Sequence, residues 1–303
     1  HHVFGNLSNG IHQMQVCAVD LQGAISDPVT VEINLLPYKP VSQRSGILVV
    51  DDSMHHNSYS PEAFVDSFYS AVVPGVWGEV AGFETNAGTT SFSLVSPGLM
   101  QNYSAVLWHS DNPSSSGSLV QSIDALELYL AGGGNLVLSG TNRLEYIFGQ
   151  FSYHQDFLLN RFGIASLGQI TALSHSVSSK AFFVNAIGQN GPGDIPLNLQ
   201  TPFNSIVSLR QGLSLISYFD PDADLDFLYR FGCKAIDAPY PPTQEEYDLY
   251  SEKYVAYKYS NAGAKVVVFG FPLSYMAQAE VATGLQSVFS DLLGGNFAKG
   301  GRP

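Results

Sequence analysis

Charge is scarce in this chain. Only 13% of its 303 residues are Asp, Glu, Lys or Arg, against about 25% in an ordinary soluble domain. Solubility must rest on Ser, Asn, Gln, Thr and Tyr as well, a surface style common outside the cell. Basic residues are the rarer sign, 13 against 26 acids. No Lys/Arg run is present to release counterions from a phosphate backbone, which argues against nucleic acid as a partner. The net charge of −13 argues equally against an anionic membrane surface. No stretch approaches eighteen uncharged apolar residues, so no membrane-spanning helix is expected. The two cysteines, Cys17 and Cys233, are too few for a disulfide framework or a zinc site. Their apolar neighbours predict two buried free thiols. A signal-peptide pattern is lacking too. The chain opens His1-His2-Val3-Phe4 in what reads as mid-domain, as a segment of a longer protein would, and the two histidines are either native or the end of a tag.

What is present is apolar and aromatic: 45% hydrophobic residues, with 16 tyrosines and 19 phenylalanines, enough for a substantial core. Residues 10–20 alternate, Leu21-Gln22-Gly23 reads as a turn, and Val29, Val31, Ile33 and Leu35 share one face of a second strand. With a short strand around Val3-Phe4, this predicts a β segment over 1–40. Residues 38–46 form a linker marked by Pro40. From Ile47 the style changes. Ile47-Leu48-Val49-Val50, Tyr103–Trp108, Asn135–Gly140 and Ala264–Phe269 are short apolar runs of the kind that form buried parallel strands. Helices are predicted from Pro61 with Phe64, Phe68 and Val72 inward, over 118–130, 154–161 and 225–229, from a capping box at Thr243 and Glu246, and over 277–293. Residues 213–216 and 254–259 read as further strands. The alternation predicts an α/β domain over 46–298: a mostly parallel sheet with helices on both faces, preceded by a partial β-sandwich.

In such a sheet, ligands sit beyond the carboxyl ends of the strands, so the chemistry is sought there. The first cluster is Asp51-Asp52-Ser53-Met54-His55-His56, which can supply an acid and a base or cap its own turn. The second is His109-Ser110-Asp111. Ser139 is a hydroxyl at the end of the third long strand, but without the G-x-S-x-G frame of a nucleophile elbow. Asp220, Asp222 and Asp224 alternate as in a calcium loop, yet Leu225 and Phe231 stand where an EF-hand needs Gly and Glu. No cofactor is expected apart from calcium at these three acids. The rings of Trp77, Trp108, Tyr240, Tyr247, Tyr250, Tyr254, Tyr257 and Tyr259 form either a platform for a glycan or peptide or a domain contact.

Phe4…Leu7…Gly10-x-His12…Asp20-x-x-Gly23-x-x-Ser26-x-Pro28 resembles the last strands of a fibronectin-III or immunoglobulin-like repeat. Ile47–Asp52, Tyr103–Trp108, Leu130–Gly140, Gly212–Pro221 and Lys265–Leu273 resemble the class I glutamine amidotransferase-like superfamily, as found in large secreted bacterial proteins. In that family a cysteine occupies the turn after the third strand and a histidine follows later. Here the turn offers Gly140 or Thr141, and no histidine follows His175. The resemblance therefore implies a non-catalytic structural or interaction module, secreted or at a bacterial cell surface. Its expected partners are neighbouring domains or an extracellular protein or glycan. The alternative is a hydrolase acting on carbohydrate or peptide through Asp51, Asp52, His55 and His109, or a carbohydrate-binding module.

Overall fold

The structure is a computed structural model that describes residues 10–35, 39–53, 61–85, 93–111, 117–140, 144, 154–165, 170–172, 180–189, 193–199, 211–214, 216–221, 224–261 and 263–297. The chain divides into two compact units, residues 1–40 and 41–303.

In the first unit, β1 (Gly10–Val16) and β2 (Val29–Leu35) pair antiparallel, with Met14 opposite Val31. Asp20 Oδ1 accepts the amides of Gln22 and Ala24, and Gly23 takes a positive φ of 86°, which together fix the turn. Ile11, Val16, Val29 and Val31 are exposed. The described residues hold a two-stranded sheet and no sandwich, which corrects the expectation of a distinct β-sandwich segment. The strand expected at Val3-Phe4 lies outside the described residues. Cys17 is exposed and Cys233 half-buried, so the expectation of two buried thiols is corrected as well.

The second unit is built on one large sheet. Its strands are β3 (Ile47–Asp51), β4 (Val80–Glu84), β5 (Ala105–Ser110), β6 (Asn135–Gly140), β7 (Ile170–Ala172), β8 (Phe183–Gly188), β9 (Ile195–Pro196), β10 (Ser217–Phe219), β11 (Asp226–Cys233), β12 (Tyr254–Asn261) and β13 (Ala264–Phe269). The main order is β4-β3-β5-β6-β13-β12-β11-β8-β9, with β10 pairing β12 and β7. The β4-β3-β5-β6-β13 half is parallel. Every pairing from β13 outward through β12, β11, β8 and β9 is antiparallel. The sheet is thus mixed, which corrects the mostly parallel expectation. The cause is visible in residues 225–261. The segment expected as a helix at 225–229 is instead the start of β11, because Phe227, Tyr229 and Phe231 are β-formers, the last two with buried rings. The connection from β12 to β13 is a two-residue hairpin turn, too short for a parallel crossover.

Alternation assigns each strand residue to a face. Ile47, Leu107 and Val137 join the core under α1 (Glu62–Val72) and α5 (Gln278–Phe297). Leu48, Val50, Val106, Trp108, Leu136 and Leu138 join the opposite core with α2 (Gly117–Gln121) and α3 (Ile123–Ala131). Helix α1 buries Val65, Phe68, Tyr69 and Val72, an i, i+3, i+4, i+7 stripe. A further helix, α4 (Gln244–Ser251), begins with Thr243 and Glu246 in a reciprocal capping box. No described helix is long and apolar enough to cross a membrane.

The register of β3 and β4 is pinned where both strands begin. Gly46 (φ 77°) donates its amide to the Trp77 carbonyl, and the Ile47 amide bonds to the Glu79 carbonyl. A Cβ on Gly46 would stand 2.2 Å from the Glu79 carbonyl oxygen, so only glycine fits there. Gly78 (φ 111°) lies against the Gly46 backbone from the other side.

Candidate functional site

The strand pairings place residues of one face in a row at the carboxyl ends of the parallel strands. Asp51 of β3 is opposite Glu84 of β4 and His109 of β5, and His109 is opposite Ser139 of β6. Partners in parallel strands point to the same side, so Glu84, Asp51, His109 and Ser139 line up beneath α1. The helix contributes Asp66 and Tyr69. Together with Glu62, Ser70 and Phe83 they line a cleft of about 520 Å³.

Asp51 is 5% exposed and His109 1%. Their side chains approach to 3.7 Å, Asp51 Oδ1 to His109 Nδ1. Asp51 Oδ1 also accepts the Ser53 amide at 2.7 Å. The imidazole is fixed from above by Tyr69, whose ring stacks on it with centroids 3.7 Å apart. The Tyr69 hydroxyl donates to both carboxylate oxygens of Asp111 at 3.0 Å, and the Ser274 amide donates to Asp111 Oδ2 at 3.1 Å. Burial pushes the Asp111 carboxyl above its ordinary range, against the opposing pull of His109. Burial, reinforced by Asp111, raises the Tyr69 phenol as well.

Carboxylate oxygens of Asp51, Asp66 and Glu84 all lie within 4.8 Å of one another. Asp51 is buried, Glu84 half-buried and Asp66 exposed, so the group opens to solvent on the helix side. Such a set can coordinate a divalent cation such as calcium.

The other acids and hydroxyls singled out in the sequence are placed differently. Asp52 is fully buried and accepts from Thr85 Oγ1, Trp108 Nε1, the Ser118 amide and hydroxyl, and the Leu119 amide, at 2.9–3.2 Å. It ties β3, β5 and the start of α2 together on the face away from the cleft. Ser139 Oγ donates to the Phe271 carbonyl at 3.2 Å and accepts the Leu273 amide at 3.4 Å, and it is fully buried. Asp220 pairs with Lys253, and Asp224 is exposed. His55 and Asp222 lie outside the described residues, as does Thr141. Of the rings offered as a platform, Trp108, Tyr250 and Tyr257 belong to the cores, and Tyr254 stacks on Phe227 at 4.0 Å. Tyr240 alone of that group is more than half exposed.

Glu84, Asp66 and Tyr69 were missed by the sequence reading. The stripe Val65, Phe68, Tyr69, Val72 is the signal that sets Asp66 beside the cleft, but Phe64, Phe68 and Val72 masked it. Val80–Glu84 is a short run ending in an acid, as at Asp51, with Gly82 weakening its strand pattern.

No protein-family model matches the chain, and no curated protein matches it. Among solved structures it is similar to a β-galactosidase from the haloarchaeon Halorubrum lacusprofundi, at 17% identity and a TM-score of 0.43. That match covers 82% of this chain and 30% of the other. A β-galactosidase from Bacillus circulans sp. alkalophilus is similar at 12% identity and a TM-score of 0.40, covering 82% and 30%. The N-terminal domain of mmIFT52 is similar at 13% identity and a TM-score of 0.39, covering 81% and 96%. The chain thus spans about a third of the length of these galactosidases. The glutamine amidotransferase and fibronectin-III or immunoglobulin resemblances are corrected: no family model supports them, the large sheet is mixed, and the described residues of the first unit hold two strands and no sandwich. The expectation of a non-catalytic module rested on the amidotransferase resemblance and falls with it. The third long strand also ends in a bonded serine, while the acids of the cleft come from β3, β4 and α1.

Proposed function

We propose that the chain is a hydrolase acting on carbohydrate, with its centre in the cleft between α1 and the carboxyl ends of β3, β4 and β5. The observation that supports this is the convergence of Asp51, Asp66 and Glu84 from three separate elements, with His109 behind Asp51. Hydrolysis of a glycosidic bond adds water across it: the attacking water loses a proton, and the leaving oxygen gains one. The three carboxylates hold and polarise the water. Asp51 and His109 form the acid–base couple that moves the proton, and Tyr69 keeps the imidazole in plane with that task. The walls favour a sugar over a peptide. The carboxylates that line the cleft accept hydrogen bonds from sugar hydroxyls.

The test is hydrolysis of a panel of nitrophenyl glycosides, with chromogenic peptides alongside. Turnover of a glycoside that falls roughly 10²-fold or more in Asp51→Asn, with thermal stability kept, supports the reading. Turnover of peptides alone, or glycoside turnover indifferent to Asp51→Asn and His109→Ala, removes it.

A further inference from the structure

We infer that the Asp51, Asp66 and Glu84 carboxylates bind a hard divalent cation of the calcium type, and that this ion takes the sugar through its open coordination positions. The inference deepens the cleft reading above and rests on the same site. Three observations carry it. The first is that the ligand atoms are brought within 4.8 Å by long-range structure. The register of β3 and β4 sets Asp51 beside Glu84, and α1 adds Asp66 from above. Like charges gathered this closely repel, so a fold that brings three together gains by having a cation among them. The described residues lining this cleft include four carboxylates and no lysine or arginine.

The second observation is independent of the acids. His109 is 1% exposed, and among the described residues its Nδ1 finds no hydrogen-bond partner while facing Asp51 Oδ1 at 3.7 Å. A buried ring nitrogen left this way is costly unless the cluster in front of it carries something more. A small closing of the 3.7 Å gap would let Nδ1–H donate to Asp51 Oδ1, the kind of outer support that fixes a metal ligand's orientation. Tyr69, stacked at 3.7 Å, stops the ring from turning aside.

The third is the one-sided exposure. Asp51 is buried, Glu84 half-buried and Asp66 exposed, so the group is open to solvent on the Asp66 side. An all-oxygen set of this kind suits calcium, which takes six to eight oxygens in flexible geometry, better than magnesium, which demands a near-ideal octahedron. The positions left over face the cleft, where a pair of neighbouring sugar hydroxyls can replace two waters.

The experiment is calorimetric titration of chelator-treated protein with calcium chloride, repeated with manganese and magnesium chloride and with Asp66→Asn and Glu84→Gln. A glycan array is read in calcium and again in EDTA. One saturable site for calcium or manganese, weakened at least tenfold in both variants, together with glycan hits that EDTA removes, is the expected result. Asp66 is exposed, so its variant tests the ligand without endangering the fold. Failure of both ions to bind at millimolar concentration, or binding unchanged in both variants, overturns the cation. Hits that persist equally in EDTA, or no hits at all, overturn its role in holding sugar. These outcomes separate from the hydrolase reading: ion and sugar binding without glycoside turnover sinks only that reading, and EDTA-resistant turnover without ion binding sinks only this one.

Discussion

Asp51 and Asp52 are neighbours in sequence and opposites in the fold. Asp52 turns to the α2 and α3 face, where five donors close on it and no water reaches it. Asp51 turns to the α1 face and opens on a cleft shared with two other acids. The two faces of one strand end thus separate an acid that holds the architecture from a buried acid that borders the cleft. A buried carboxylate surrounded by donors is a fastening; one surrounded by acceptors is a place for chemistry.

That contrast can be broken by experiment. The largest effect is expected for Asp52→Ala, which strands several buried donors at once and should lower stability by about 3 kcal/mol or more. Chemical denaturation measures it, and a loss within error would mean that water replaces the carboxylate. Next comes Asp51→Asn, expected to reduce glycoside turnover roughly 10²- to 10⁴-fold with little change in unfolding midpoint. An equal collapse of stability in both variants would erase the distinction between the faces.

A pH experiment sharpens it further. The Asp111 carboxyl is raised by burial, so the folded state binds its proton more tightly than the unfolded chain. Its contribution is full below the ordinary carboxylate range and is lost as pH rises through the folded value. Stability of the native protein should therefore fall over that rise relative to Asp111→Asn, which has no proton to lose. Parallel pH profiles of the two proteins would show that Asp111 is not raised. The smallest effect is expected for Ser139→Ala, about 1 kcal/mol from its two backbone hydrogen bonds, with turnover unchanged. A large loss of turnover there would return the chemistry to the third long strand.

The parallel half of the sheet was legible in the sequence because its strands are uninterrupted apolar runs, buried on both faces and ended by polar residues. Asp51 and His109 stood out for the same reason. In the antiparallel half the strand over 254–259 was legible but not its direction, and Asp226–Cys233 was not, since it mixes charge with rings and buries only part of the strand. Face was the other hidden quantity. Asp51 and Asp52 are equivalent on paper, and only the pairing of β3 with β4 and β5 decides which one meets the cleft. Glu84 and Asp66 become visible as partners only once that pairing is known, because nothing local connects residues 51, 66 and 84.

The glycine pair at the start of β3 and β4 governs this from a distance. Side chains of a strand swap faces with every single-residue slip. Gly46, wedged against the Glu79 carbonyl, therefore acts as a stop that sets how far β4 can slide. Were the stop one residue out, Glu84 would swing to the far side of the sheet and Phe83 would enter the acid row in its place. The spacing of three charges at one end of the molecule is thus written by a residue with no side chain at the other.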